Sequence, residues 1–189
     1  LLARQSAQMF RRYLLSFLSC LSTGSLAAEY RVSSAAGLSR INPDLQAGDV
    51  VIMANGSWKD QAVTFAANGT EPRPITLRAE TPGKVLLEGR SSLAITGKHL
   101  VVEGLWLKGA EGDKEAISIH GEDCRLTSCA VTDATHKNYL RLWGRGHRVD
   151  HCQFSGKKTD APTVQIEVEE RPNHHRIDHN YFVHRPLLG

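Results

Sequence analysis

Cysteine is scarce in this 189-residue sequence: of the four, Cys20 falls in an N-terminal leader, which leaves Cys124, Cys129 and Cys152. An odd number in an exported chain is no disulfide framework, and C-x4-C followed by a single further Cys has no partner set for a tetrahedral zinc site. Burial as small apolar side chains is the expected role. An excess of one charge is also missing. The formal net charge of +3 comes from Arg4, Arg11 and Arg12; without residues 1–28 the sequence holds 20 basic and 20 acidic residues. A general nucleic-acid binder is therefore not implied. No apolar run reaches the roughly 20 residues that cross a bilayer, and a composition of 41% hydrophobic and 23% charged residues is that of a globular protein rather than a disordered one.

What is present begins with the leader. Met9 is followed by Arg11-Arg12, an apolar run from Tyr13 to Leu21, and the small residues Gly24, Ser25, Ala27 and Ala28. That order is the order of a signal peptide. The expectation is a start at Met9, cleavage near Ala28, and a secreted or periplasmic product with no membrane attachment after cleavage. A transmembrane anchor and a lipoprotein signal at Cys20 are the alternatives; the run is short for the first, and Phe17-Leu18-Ser19 is a poor context for the second.

Four segments between His99 and Phe182 share one pattern: His99-Leu-Val-Val-Glu-Gly-Leu-Trp-Leu107, Asp123-Cys-Arg-Leu-Thr-Ser-Cys-Ala-Val131, Gly146-His-Arg-Val-Asp-His-Cys-Gln-Phe154 and His174-His-Arg-Ile-Asp-His-Asn-Tyr-Phe182. Their equivalent positions Leu105, Cys129, Cys152 and Asn180 lie 24, 23 and 28 residues apart. Three short strands and three turns use up a period of that size, so each repeat reads as one coil of a right-handed parallel β-helix. Alternation along each strand turns Val102, Leu126, Val149 and Ile177 inward, together with Leu107, Val131, Phe154 and Phe182. Leu105, Cys129, Cys152 and Asn180 then stack at a turn. Further strands are expected at 75–78, 85–87, 93–95, 116–119, 139–142 and 163–168. An antiparallel β-sandwich also has short, regularly spaced strands, but it does not require the same motif in every coil. Residues 33–41 read as a short N-terminal cap helix and 49–53 as the first strand, since a solenoid's open first coil needs a cover. Residues 29–189 are thus the N-terminal coils of one β-helix domain, expected to be truncated at its C-terminal end.

Ordered motifs along residues 44–189 carry a family resemblance. They are Gly48-Asp-Val-Val-Ile with Asn55-Gly-Ser-Trp-Lys-Asp60, then Pro74-Ile-Thr-Leu-Arg-Ala-Glu-Thr-Pro-Gly-Lys-Val85, then Leu100-Val-Val-Glu-Gly-Leu-Trp106. Arg148-Val-Asp-His-Cys-Gln-Phe-Ser-Gly-Lys157 and Asn173-His-His-Arg-Ile-Asp-His-Asn-Tyr-Phe182, with Arg185-Pro186, complete the series. The set resembles polysaccharide lyase family 6, the alginate lyases and chondroitinase B. The resemblance implies calcium-assisted β-elimination on an acidic polysaccharide, alginate or dermatan sulfate. A proton beside a uronate carboxylate is removable only when a cation neutralises that carboxylate, after which a Lys serves as base and an Arg assists the leaving oxygen. In the family the Asn and two carboxylates that bind calcium, and the catalytic Lys and Arg, follow the Arg-Pro segment. No residue of this sequence matches them, so calcium is expected for the full-length protein with its ligands outside this chain. A non-catalytic, glycan-binding β-helix is the rival from another class.

Two residues are candidate substrate contacts. Arg185 matches a family position near the polymer groove, and a guanidinium grips a carboxylate or sulfate bidentately; Lys157 is the weaker candidate. A basic run, Lys137, Arg141, Arg145, Arg148, Lys157 and Lys158 against Asp150 alone, reads either as a solvated face or as a surface meeting a polyanion. His174, His175, His179 and His184 lack the fixed geometry of metal ligands and read as turn or surface histidines. Glu167 and Glu169 share a strand face but precede the Arg-Pro segment and are not equated with the family's calcium pair.

Overall fold

The computed structural model describes residues 26–168 and 173–183. Strand β1 (Glu29–Val32) leads into helix α1 (Ala35–Ile41) and a 3-10 turn, Asn42–Asp44. The coils follow. The first is β2 (Val50–Met53), β3 (Gly56–Lys59) and β4 (Ala62–Asn68); the second is β5 (Ile75–Ala79), β6 (Val85–Glu88) and β7 (Ser92–Lys98). The third is β8 (Leu100–Glu103), β9 (Leu105–Lys108) and β10 (Glu115–Glu122), and the fourth is β11 (Arg125–Thr127), β12 (Ala130–Thr132) and β13 (Asn138–Arg145). The fifth is β14 (Arg148–Asp150), β15 (Gln153–Ser155) and β16 (Val164–Ile166), and β17 (Arg176–Asp178) with β18 (Tyr181–Val183) belongs to a sixth. Each strand pairs in parallel with its equivalents in the coils before and after, giving sheets of seven, six and five strands among the described residues. This is the expected parallel β-helix.

The core is a set of columns. Val51, Leu77, Val102, Leu126, Val149 and Ile177 are in register along the first sheet, and Trp58, Leu87, Leu107, Val131, Phe154 and Phe182 along the second. Phe65, Ile95, Ile119, Leu142 and Ile166 form a column in the third. Most are fully buried; Ile177 and Phe182 are 37% and 50% exposed at the last described coil. Burying one such side chain stabilises by about 1.5–3 kcal/mol, and each column repeats that gain coil after coil.

The turn between first and second sheets follows the expected stack. The main chain runs Gln153 N–H to Cys129 O and Tyr181 N–H to Cys152 O. Asn180 closes the series, accepting from Cys152 N–H at 2.8 Å and donating to Val149 O at 2.8 Å. Cys124, Cys129 and Cys152 are free thiols and buried. The residue before each stacked position adopts left-handed φ: Gly104, Ser128, His151 and His179. His174 does the same at the turn into the first sheet, so two of the clustered histidines are turn residues.

The N-terminal cover agrees with the expected helix and adds a strand. Ser34 caps α1, its Oγ accepting from Gly37 N–H; Leu38 is wholly buried. Asn42 Nδ2 donates to Thr64 O, and Ala35 N–H to Gln61 Oε1, which fastens the helix to β4 and its turn. The first strand is β1 rather than the one near residue 50. Its four residues pair with β2; pairing, not intrinsic pattern, makes it a strand. The expected leader lies almost wholly outside the described residues.

Candidate functional site

The three outward faces of the solenoid differ in chemistry. On the first sheet, Arg125, Asp150, Arg148, Asp178 and Arg176 form a closed lattice. Arg125 donates twice to Asp150 (2.9 and 2.6 Å) and Arg148 twice to Asp178 (3.1 Å each). Arg176 also bonds Asp178. Three guanidinia share two carboxylates here, so all three arginines are engaged internally and little of this face is left for a polyanion. Arg145 pairs instead with Glu122 at the end of the third sheet. The basic run of the sequence is therefore split over different faces, and its arginines are ion-paired; it is not one polyanion surface.

The third sheet carries the longest strands and the most varied outer face. Register places His120 beside Trp143 and Ser118 beside Arg141. The imidazole and indole stack at 4.0 Å between centroids, and the Arg141 guanidinium lies 4.2 Å from the indole centroid. Burial pushes the pKa of His120 down, so the ring is neutral at pH 7. Arg141 bonds Glu167 (2.7 and 2.6 Å) and reaches Glu115 at 3.9 Å. A guanidinium has five N–H donors, so these contacts orient it without exhausting it. Two-residue spacing on one strand puts Arg141 and Trp143 on the same face.

Beside this stack opens a cleft of about 300 Å3, lined among others by Arg90, Lys114, Glu115, Ser118 and His136. His136 is 2% exposed, and its buried Nδ1 has no hydrogen-bond partner among the described residues. Burial lowers its pKa, so the ring stays neutral. An orphaned buried acceptor is costly unless something donates to it; enclosed as it is, this nitrogen suits a buried water rather than a ligand in the open cleft. The cleft mixes signs, with Arg90 and Lys114 among Glu111, Asp113 and Glu115, and beside it the face offers an aromatic stack, the Arg141 guanidinium and a hydroxyl: groups that can hold a hydroxylated ligand.

Of the candidates from sequence, Arg185 lies outside the described residues. Lys157 sits in the turn after β15, half-buried, with its ammonium donating to Thr159 O at 2.9 Å and to the Thr159 hydroxyl, and lying 5.8 Å from the Tyr139 ring centre. Burial lowers its pKa. Its place is a turn clamp beside a cavity of about 80 Å3, not the outer face of the third sheet. His120, Trp143 and His136 were not singled out from sequence. The signal was available for two of them: once β10 and β13 are aligned at their glycines, His120 and Trp143 occupy the same position of adjacent coils.

Calcium wants several oxygen ligands converging on one point. Among the described residues no group of three or more His, Cys, Asp or Glu is placed to hold a metal, and Glu167 is committed to Arg141 and Gln165. The described residues do not fit such an ion.

Comparison with known proteins matches this architecture to enzymes. No match was found among curated protein sequences. Among solved structures, the alginate lyase AlyGC of polysaccharide lyase family 6 is 33% identical with a TM-score of 0.76, covering 80% of this chain and 23% of that one. A family 6 lyase of Pseudopedobacter saltans is 30% identical with a TM-score of 0.76, covering 81% and 37%. A mannuronic acid specific family 6 lyase from human gut microbiota is 26% identical with a TM-score of 0.74, covering 82% and 40%. The chain thus spans between 23% and 40% of the length of these relatives. The chondroitinase B family model matches residues 32–189, from β1 through every described coil, and the chain belongs to that family, polysaccharide lyase family 6.

Proposed function

We propose that this chain forms the N-terminal coils of an exported polyuronate lyase that cleaves alginate by calcium-assisted β-elimination, with the outer face of the third sheet as part of the polymer groove. The observation that carries the substrate is the identity of one third to an alginate lyase over four fifths of the chain. The face fits in kind. Trp143 and His120 form a stacked floor, and Arg141, oriented by Glu167 and Glu115, keeps N–H donors for a uronate carboxylate. The base, the leaving-group acid and the calcium ligands belong, on this reading, to coils beyond the described residues. The leader from Met9 to Ala28 supports export.

The second reading, a lyase acting on dermatan sulfate, is favoured by the name of the family model. The test is to supply the extended gene product with alginate and with dermatan sulfate and follow the ultraviolet absorbance of the unsaturated uronate formed. Product from alginate alone supports the first reading; product from dermatan sulfate alone replaces it with the second. In the active protein, Trp143→Ala raises KM about tenfold with kcat little changed, the signature of lost uniform binding.

A further inference from the structure

The second sheet has an outer column of its own. Register stacks Leu86, Trp106, Ala130, Gln153 and Tyr181 in successive coils. Neighbouring strands lie about 4.8 Å apart, and every member of the column but Ala130 is large or extended. The missing side chain leaves a notch of about 400 Å3 whose walls include Trp106, Ser128, Cys129, Thr132, His151 and Gln153. That volume is at the lower end for small-molecule sites, roughly 300–1,000 Å3.

The walls are fixed by their own bonds. Trp106 Nε1–H donates to Thr132 Oγ1 at 2.9 Å, which pins the indole; the Lys108 ammonium lies 5.1 Å from the ring centre, so the indole offers the π surface that this cation does not cover. Across the notch, His151 stacks on His179 with centroids 5.2 Å apart, and its Nδ1 lies 3.1 Å from Asp150 Oδ2. That bond sets the ring's orientation and leaves Nε2 with no partner among the described residues. Gln153 uses its Nε2–H on Ser155 Oγ at 3.3 Å, so its carbonyl oxygen remains to accept. Ser128, at a turn, is exposed. An aromatic plate facing pre-oriented donors and acceptors, over a floor one side chain deep, matches one ligand chemistry. A pyranose ring presents an apolar C–H face to an aromatic and hydroxyls around its edge.

We infer that the notch between Trp106 and Gln153 is a second carbohydrate-binding site, taking one pyranose residue of a polysaccharide on a face other than that of the Trp143 stack. It requires no catalysis, so it is testable whether or not the lyase reading holds. The pyranose could belong to a uronate polymer or to a neutral one, and two probes separate these sources: an alginate tetrasaccharide and cellotetraose.

The experiment is a titration of the full 189-residue chain with each probe, followed by nuclear magnetic resonance of the tryptophan indole N–H signals and by calorimetry. Signals of Trp58, Trp106 and Trp143 are assigned by single Trp→Phe variants. The expected result is that one or both probes shift the Trp106 signal, and that Ala130→Gln, which fills the notch with the side chain of the next coil, weakens that binding at least tenfold. Response to the alginate probe alone assigns a uronate; an equal response to both assigns recognition of the pyranose ring itself. Should Ala130→Gln not fold, the Trp106 shift in the unaltered chain decides. No shift of the Trp106 signal with either probe, or binding that Ala130→Gln leaves unchanged, would overturn the inference.

Discussion

Asp150 shows what a single position does in a solenoid. Its side chain is wholly buried, yet it is ionised, because Arg125 from the preceding coil donates to both oxygens and holds the carboxyl down to about 2, with His151 and Thr127 assisting. A carboxyl whose folded value is depressed contributes stability that is present above its ordinary value of 3.8 and lost as pH falls through about 2. Acid titration should therefore show stability falling across that window. Because the Arg125 side chain is 41% exposed, the full cost of breaking a buried pair is discounted, and Asp150→Asn should cost about 2 kcal/mol by urea denaturation at pH 7. In the sequence Asp150 is merely the one acid in a basic run. Its bidentate partner Arg125 lies a coil away, a distance along the chain at which no local pattern reveals a pair; the local partner on its own strand is Arg148, two residues before it. The cysteines were legible, by contrast, since the repeat put Cys129 and Cys152 at an inward turn position. Burial pushes the Cys124 thiol up to about 11 and raises that of Cys129 as well. In the folded protein Cys124 and Cys129 should resist a thiol reagent at pH 7 and react once urea is added, with labelling mapped by mass spectrometry.

At the scale of elements, the long strands of the third sheet depend on a glycine column. Gly97, Gly121 and Gly144 have φ of 133°, 131° and 91°, and a β-carbon on Gly121 would collide with the carbonyl oxygen of Gly97 in the coil before. Glycine is thus required by backbone approach as well as by φ. Gly121→Ala should cost more than about 3 kcal/mol, read as a lower urea midpoint. A second device spans two coils at the turn into the first sheet. His147 is fully buried, accepts from Cys124 N–H at Nδ1 (3.2 Å), and lies 2.7 Å from Trp143 O at Nε2. The bonds require the neutral ring with its proton on Nε2, and burial lowers its pKa. Below its ordinary value of 6.5 the unfolded chain takes up a proton that the folded ring resists, so stability falls as pH falls. His120 and His136, also lowered by burial, act in the same direction. The urea midpoint should drop between pH 7 and pH 6, and His147→Gln should reduce that drop. Strands with apolar alternation or the repeat motif could be read from sequence. The strands β1 and β3 could not. Gly56-Ser-Trp-Lys carries one buried residue, Trp58, and β1 one, Val32, too few for a period; these strands exist because a neighbouring coil offers its edge.

The whole molecule is close to one-dimensional: each coil touches its neighbours, and function is distributed along faces rather than gathered in a central pocket. That explains why the fold was legible and the site only in part. A repeat announces the fold locally, whereas a face is assembled from residues one coil apart, and Trp143, His120 and His136 acquire meaning only in register. On the proposed reading, labour is divided along the axis, with polymer binding on the described coils and chemistry on coils that follow. One comparison tests this division directly: the 189-residue chain and the extended gene product, each purified and incubated with alginate under the same conditions, followed by ultraviolet absorbance of the unsaturated product. Elimination needs a neutralised carboxylate, a base and an acid held in one groove, and losing the set removes many kcal/mol of transition-state stabilisation. The account predicts product from the extended protein and none above background from the 189-residue chain, although the latter still binds the polymer. Equal rates from the two would contradict it, since the catalytic groups would then have to lie within this chain.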